Sequence, residues 1–224
     1  MTINAKDCRQ EVDNMAALVA LIREPQASFS RKIAAMPKKP RNKDVRTREY
    51  LTPDEVDRLI AAAGKVGRHG FRDRTMILLA YRHGLRVSEL VSLRWEQIDL
   101  RQGLIHVVRR KGGVNSTHPL RGPEIRALKR VQREYERSPY VFVTERRGPL
   151  TTSALRKIIK RAGEIAELGF PAHPHMLRHA CGYKLANDGQ DTRAIQLYLG
   201  HANITHTTRY TDLAAGRFNR FWND

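Results

Sequence analysis

The chain contains very little cysteine and no long hydrophobic run. Its two cysteines, Cys8 and Cys181, lie far apart in differently patterned segments, so the sequence predicts neither a disulfide framework nor a cysteine-based zinc site. No apolar stretch approaches the ~20 residues that a transmembrane helix needs, and the first residues lack the basic end and the apolar core of a signal peptide. We therefore expect reduced thiols, no membrane partner and a cytoplasmic protein.

Acidic residues are also scarce, with 23 against 41 basic residues among 224, which gives a net charge of +18 and a pI near 10.5. This imbalance favours a polyanionic partner, with nucleic acid ahead of a membrane surface or an acidic protein. The 41% of hydrophobic residues suffices for a normal core, and the length allows one sizeable domain plus a small appendage.

The residue pattern divides the chain near residue 49. Residues 11–24 can form one short amphipathic helix, but residues 1–48 are too few for a core of their own, so we interpret them as an arm. Residues 37–48 hold one acid, Asp44, and six basic side chains, which are Lys38, Lys39, Arg41, Lys43, Arg46 and Arg48. A DNA-embracing arm and a solvated linker both explain such a run, and the overall basicity favours the arm.

The main domain, residues 49–224, begins with a readable helix cap. Thr52 occupies the N-cap position, Pro53 the first helical position and Glu55 the third, so side chains can satisfy the free amides of the first turn. Apolar residues then recur at helical spacing. The sequence therefore predicts an amphipathic helix that packs against a core.

The remaining pattern is mostly helical. A second helix, about residues 71–83, ends at Gly84, a residue suited to the left-handed C-terminal position, and a third runs through residue 93. Residues 104–109 and 114–120 read as two strands of a hairpin with Lys111 in its turn. Further helices are predicted over 123–137, 152–168, 174–187, 191–199 and 204–213, with a short extended piece at 141–143. The predicted fold class is α+β, mostly α, with a small antiparallel sheet.

The densest group of chemically competent side chains lies between residues 173 and 210. His175 and Arg178 are three positions apart and so share one face near a helix start. His201 follows a Leu-Gly pair, and Tyr210 lies nine positions beyond it. Upstream are the segment GLRVSEL, residues 84–90, and Lys111.

These residue types match the needs of phosphodiester cleavage without a metal. Two planar guanidinium groups can neutralise the non-bridging oxygens of a phosphate as charge builds. A tyrosine can act as nucleophile when nearby cations and a histidine assist its deprotonation. A lysine can protonate the departing sugar oxygen.

Each group also has an ordinary structural interpretation when it is taken alone. An arginine placed like Arg86 is more often a surface charge or a salt-bridge partner, here of Glu89. The histidines are explained as helix-end residues, the lysine as a turn residue and the tyrosine as a half-buried helix residue. The joint order and spacing of the groups favour the functional interpretation.

Three segments resemble the tyrosine recombinase (phage integrase) family. GLRVSEL is similar to the family's first arginine segment, HMLRH to its His-x-x-Arg segment, and LGH followed by TxxY to its nucleophile segment. They occur in the family's order, with 92 residues between the two arginines and 32 from the second arginine to the tyrosine. The resemblance covers about residues 49–213 and implies that family's catalytic-domain fold.

The resemblance implies six catalytic residues and one supporting residue, namely Arg86, Lys111, His175, Arg178, His201, Tyr210 and Glu89. The two arginines would clamp the scissile phosphate, the lysine would protonate the leaving 5′ oxygen, and the tyrosine would become linked to the 3′ phosphate. His175 would assist proton transfer, His201 would hydrogen-bond the phosphate, and Glu89 would support the site from its edge. Neither metal, ATP nor any cofactor is implied.

Other features of the resemblance concern assembly. Typical members carry a larger helical domain before the catalytic domain, whereas 48 residues precede it here. The run HPHMLRHACG and the short chain resemble most closely the recombinases that invert the promoter switch of bacterial fimbriae. The family implies double-stranded DNA as partner, a homotetramer on paired sites, a nucleoid location and, in some systems, a DNA-bending accessory protein. Residues 217–222 fit either a segment that docks on a neighbour or a helix folded back in cis.

Two alternative functions stay open at this stage. A type IB topoisomerase uses a similar set of groups, but the Leu-Gly-His spacing and the short chain argue against it. A DNA-binding regulator without catalysis would be expected to lack Tyr210, Arg86 or Lys111, and all three are present.

Overall fold

The computed structural model describes residues 48–109, 112–135 and 138–212. Within these ranges the chain forms eight α-helices: α1 (Pro53–Lys65), α2 (Gly70–Arg82), α3 (Val87–Val91), α4 (Gly122–Glu134), α5 (Thr152–Ile165), α6 (Pro174–Asn187), α7 (Thr192–Leu199) and α8 (Thr205–Asp212). A short 3₁₀ helix spans Trp95–Gln97. The predicted mostly α character is confirmed.

A small antiparallel sheet has the strand order β1 (Ile98–Asp99), β2 (Leu104–Val107) and β3 (Ser116–Pro119). Ile105 and Val107 are buried while the residue between them is exposed, as the two-residue period of a strand requires. Both hairpin strands are shorter than predicted. The N–H of Arg109 binds the side chain of Asn115 at 2.8 Å instead of continuing the ladder. The two-residue strand β1 was not predicted.

The cap of α1 forms as the sequence predicts. The Glu55 carboxylate accepts the N–H of Thr52 at 2.8 Å, and the Thr52 hydroxyl accepts the N–H of Glu55 at 3.4 Å. Pro53 takes the first helical position, where no N–H is required. The buried side of the helix, which includes Val56 and Leu59, packs mainly against α2 and α5.

Gly84 ends α2 in the left-handed conformation, with φ +56°. Its N–H donates to Tyr81 at 3.3 Å, and the next N–H donates to Ala80 at 3.2 Å, so the last carbonyls of the helix are satisfied. A Cβ on Gly84 would lie 2.4 Å from the Leu199 side chain of α7. This glycine therefore fixes both the backbone turn before Arg86 and the approach of α7.

No helix among the described residues has the length and apolarity needed to cross a membrane. The apolar core instead runs through α1, α2, α4, α5 and α6. A smaller buried cluster under α7 and α8 contains Cys181, whose thiol pKa is raised to about 12 by burial.

Replacing Gly84 by alanine should destabilise the fold more than the same change at Gly67. Gly67 also has a positive φ, +65°, but nothing lies within 4 Å of its added Cβ, so it reports backbone strain alone. We expect a loss of roughly 1–2 kcal/mol in the free energy of unfolding for Gly67→Ala. The clash with Leu199 should add about 1–3 kcal/mol in Gly84→Ala. Urea denaturation measures both losses, and equal values would contradict the proposed role of the contact.

Candidate active site

The carboxylate of Glu89 holds two arginines. Its Oε1 lies 2.9 Å from Nη1 of Arg86, and its Oε2 accepts both the backbone N–H of Arg86 and Nη1 of Arg109 at 2.8 Å. Burial alone would raise the pKa of this carboxyl, but those hydrogen bonds and the charge of Arg109 lower it below its ordinary value. Glu89 is therefore an anion that fixes Arg86 at the start of α3.

Arg109 is a buried residue that the sequence analysis did not identify. Its side chain is fully enclosed and donates to the carbonyl oxygens of Tyr198, at 2.6 Å, and of His83 and Gly84, both at 3.3 Å. It thus ties the hairpin to the end of α2 and to α7. Arg109 lies beside the predicted turn, where an arginine side chain usually faces solvent. The sequence pattern therefore gives no sign that this side chain is buried against α2 and α7.

The second predicted arginine, Arg178, lies deep in the protein, with 2% of its surface exposed. Its guanidinium donates to the carbonyl oxygens of Gly84 and of Leu199, the latter at 2.6 Å. Burial, with help from the charges of Arg109 and Arg86, lowers its pKa to about 10. It stays protonated at neutral pH, close to the arginines that Glu89 holds.

A further buried cluster supports the end of α2. His83 lies 2.8 Å from the Glu124 carboxylate of α4 and 3.2 Å from His118 of β3. The ring of His118 stacks on Tyr198 at 3.7 Å, and burial and His83 lower its pKa to about 3. These contacts anchor the chain just before Gly84, and none of them was predicted.

The predicted histidines lie on either side of the buried arginines. His175 is exposed in the first turn of α6, and desolvation and the charge of Arg178 lower its pKa. His201 follows Gly200, which ends α7 with φ +65°. Its Nδ1 lies 2.8 Å from the Thr207 hydroxyl, and burial and Arg178 lower its pKa to about 3. Because His201 is neutral, it does not stabilise the end of α7 through a positive charge that interacts with the helix dipole.

Tyr210 of α8 is almost completely buried, with 1% of its surface exposed. Its hydroxyl lies 2.8 Å from Nδ1 of His179, and its ring lies on Gly182, where a Cβ would come within 2.7 Å of it. Burial raises the pKa of Tyr210 to about 12, although Arg178 and Arg209 act in the opposite direction. His179 and Gly182 were not predicted as functional residues.

The structure brings together most of the predicted site residues and leaves others outside the described ranges. Arg86, Glu89, Arg178, His175, His201 and Tyr210 all lie around the junction of α3, α6, α7 and α8. Lys111, residues 37–47 of the predicted arm and residues 217–222 lie outside those ranges. Arg48 is described: it forms an ion pair with Glu55 and lies over the ring of Phe170.

A groove of about 620 Å³ opens beside Arg86 and His175. The N-terminal parts of α5 and α6 supply Thr152, Arg156 and Pro174 to its walls. The groove therefore carries positive charge directly next to the buried arginines, as a surface for a phosphate backbone requires.

These groups together are chemically suited to phosphoryl transfer. Buried guanidinium groups can hold a phosphodiester, and a tyrosine hydroxyl with a histidine partner lies in the same buried region. The fold and the site therefore define a class of protein, the enzymes that transfer a phosphoryl group of DNA to a tyrosine.

Residues 49–217 match the family model described as Phage integrase family, and the chain belongs to that family. The Type 1 fimbriae regulatory protein FimE of Escherichia coli (strain K12) is 45% identical over 181 residues, which are 78% of this chain and 91% of FimE. These matches confirm the resemblance to tyrosine recombinases and to the short fimbrial members.

Two solved structures share the fold. The crystal structure of XerA recombinase has a TM-score of 0.67 at 30% identity and covers 77% of this chain and 63% of that one. The XerH site-specific recombinase, solved in a post-cleavage complex with a palindromic difH substrate, has a TM-score of 0.67 at 22% identity, covers 81% of this chain and 54% of that one, and shows the fold alone. The predicted catalytic-domain fold and the tyrosine recombinase class are confirmed.

Replacing Gly182 by alanine should lower the free energy of unfolding when the Tyr210 ring is present and raise it when the ring is absent. In the otherwise unchanged protein the added Cβ meets the ring, so we expect a loss of about 1–3 kcal/mol in the free energy of unfolding. In a Tyr210→Ala background the same change should instead stabilise α6 by roughly 0.5–1 kcal/mol, because alanine favours a helix over glycine. Denaturant titration of the four proteins measures the difference, and an unchanged sign would contradict the packing.

Proposed function

We propose that the protein is a site-specific recombinase that cuts and rejoins double-stranded DNA through a 3′-phosphotyrosine link to Tyr210. The observation that carries this proposal is that Tyr210 is buried near enough to Arg178 for each to affect the pKa of the other, while the Arg178 guanidinium is fixed by two backbone carbonyls. Family membership supports it. Arg86, which Glu89 fixes, completes the phosphate clamp.

The two arginines stabilise charge that develops on the phosphate. Arg86 and Arg178 lie on different elements, and each is fixed by hydrogen bonds before DNA arrives, so little reorganisation is needed in the transition state. Guanidinium groups suit this task because their planar N–H pairs match two phosphate oxygens.

The covalent step exchanges one phosphate ester for another. The Tyr210 oxygen attacks the phosphorus, the bond to the 5′ oxygen breaks, and Lys111 protonates that leaving oxygen. His201 donates a hydrogen bond to the phosphate, and His175 assists proton transfer. Because the phosphotyrosine link retains the energy of the broken bond, rejoining requires neither ATP nor a metal.

DNA lies across the groove beside Arg86, with Arg156 of α5 against its backbone. Residues 1–48 act as an arm that extends this contact through the basic run at 37–48, and residues 49–224 form the catalytic domain. The working form is a homotetramer on two paired DNA sites in the cytoplasm, associated with the nucleoid, and a DNA-bending protein can assist it. Membership of the phage integrase family and the net charge of +18 support DNA as the partner.

The covalent adduct tests this function. The protein should form a species on denaturing gels with nicked duplex DNA from the flanks of its own coding region, where the nick lets the cleaved strand diffuse away. Tyr210→Phe removes the nucleophilic oxygen and should abolish the adduct while DNA binding persists. Tyr140→Phe, which changes a tyrosine elsewhere in the domain, is the matched control and should retain it. Binding without any adduct in the unchanged protein would reject the proposal in favour of a DNA-binding regulator.

Arg178→Lys should separate binding from catalysis. A lysine supplies a point charge but not the bidentate fork, so we expect DNA affinity within about tenfold of the unchanged protein. The single-turnover cleavage rate should fall by roughly 10²–10³-fold, the usual effect of removing one oxyanion donor. Arg161→Lys, on the exposed side of α5, controls for the exchange of residue type. A cleavage rate that matches this control would reject the assignment of Arg178.

A further inference from the structure

The histidine that contacts the tyrosine hydroxyl is not the one that the sequence predicts for proton transfer. Within the described part of the chain, the Tyr210 hydroxyl forms its hydrogen bond with Nδ1 of His179 at 2.8 Å. His175 lies one turn earlier on α6, and its ring meets the His179 ring edge-on at 4.3 Å. Both members of the hydrogen bond are buried, with 5% of His179 and 1% of Tyr210 exposed.

We propose that His179 is a catalytic residue that accepts the hydroxyl proton of Tyr210 during attack and returns it during rejoining. This inference rests on the proposed function, since it requires that Tyr210 is the nucleophile. It places the direct transfer from the hydroxyl at His179, so His175 can assist that transfer only through its contact with the His179 ring. Of the two histidine rings in contact, His175 is the exposed one and His179 the buried one.

The step balances in atoms and charge. The Tyr210 oxygen forms a bond to phosphorus as its O–H proton passes to Nδ1 of neutral His179, which becomes an imidazolium. The bond between phosphorus and the 5′ oxygen breaks, and that oxygen keeps the electron pair and takes a proton from the donor assigned above, Lys111. Rejoining reverses each transfer and restores neutral His179 and the tyrosine.

Helix α6 carries the base, one arginine of the clamp and the seat of the tyrosine ring, and α8 carries the tyrosine itself. Arg178, which holds the phosphate in the proposed function, directly precedes His179 on α6, and Gly182 forms the seat of the tyrosine ring one turn later. Arg178, His179 and Gly182 therefore keep fixed positions relative to one another as long as α6 stays intact. Acceptance at Nδ1 requires that the other ring nitrogen carries the proton in the neutral state.

The charges around His179 make the base responsive to substrate. Burial and neighbouring cations lower its pKa to about 3 in the empty site, so it stays neutral and withdraws the hydroxyl proton poorly. The charged and titratable groups that face it come from the α6 segment and from α8, and are His173, His175, Arg178, Arg209 and Tyr210. Arg209 in turn pairs with Glu49. A bound phosphodiester adds a negative charge at Arg178, which raises the basicity of His179 when the reaction needs it.

His179→Asn tests the proposal in the full-length protein. The asparagine amide oxygen can replace Nδ1 as acceptor of the hydrogen bond but cannot take up the proton. With nicked duplex DNA, the variant should bind as the unchanged protein does and form the adduct about 10²–10⁴-fold more slowly near pH 7. Its rate should rise about tenfold per pH unit and still be rising at pH ~10, because only the phenolate then reacts and burial raises the hydroxyl pKa to about 12. The rate of the unchanged protein should instead level off.

Two outcomes of that experiment would overturn the inference. An unchanged rate and pH profile would mean that His179 takes no proton. Faster cleavage by His179→Asn would mean that the hydrogen bond withholds the nucleophile. Failure of the unchanged protein to form any adduct would reject the proposed function itself, so the two failures are distinguishable.

Two chemical probes separate His179 from a donor to the leaving group, and the first of them also applies to the wild-type protein if His179→Asn does not fold. Fluorotyrosine at position 210 has a more acidic hydroxyl, so it should restore most of the cleavage rate of His179→Asn. In the protein that retains His179 it should alter the cleavage rate little. A substrate with sulfur in place of the leaving 5′ oxygen needs no proton donor and should not restore that rate. The inference would be overturned if the sulfur substrate restored the rate of His179→Asn. It would also be overturned if the rate of the wild-type protein rose in proportion to the acidity of the fluorotyrosine hydroxyl.

Discussion

Buried positive charge is the constraint around which this domain is organised. Arg86, Arg109 and Arg178 share one region, and Glu89 supplies one carboxylate to two of them. Backbone carbonyls at the ends of α2 and α7 accept hydrogen bonds from other guanidinium N–H groups of Arg109 and Arg178, but Nε of Arg109 has no hydrogen-bond partner among the described residues and a carbonyl provides no net charge. Because buried charge without compensation is costly, the site gains stability when an anion enters. A phosphodiester of DNA is the anion that the proposed function supplies.

Local backbone geometry makes this concentration of charge achievable. Gly84 and Gly200 both adopt positive φ, and a Cβ at either position would collide with a neighbouring side chain or carbonyl. The two turns bring carbonyl oxygens to face Arg109 and Arg178 from different segments of the chain. A third glycine, Gly182, lets the tyrosine ring lie directly against α6. Small residues at three close approaches thus place the charged and reactive groups.

Much of the fold and the core of the site could be predicted because their signals are local or come in ordered sets. The cap of α1 needs only Thr52, Pro53 and Glu55, and the segments around Arg86, Arg178 and Tyr210 are informative through their order and spacing. Arg109 and His179 escaped prediction because their roles arise from distant parts of the chain: the carbonyl of Tyr198 in one case, the tyrosine hydroxyl in the other. A basic residue beside a turn and a histidine beside an arginine have no distinctive local pattern, and a strand of two residues has no period to detect.

The crystal structure of the covalent complex on a nicked duplex tests the central claim most directly. It should show the 3′ phosphorus bonded to the Tyr210 oxygen, with Arg86 and Arg178 each donating to its non-bridging oxygens. Glu89 and the carbonyl of Gly84 should keep their contacts with the arginines, since these fix the clamp before DNA binds. A phosphate bonded to another residue, or one held without either arginine, would contradict the account.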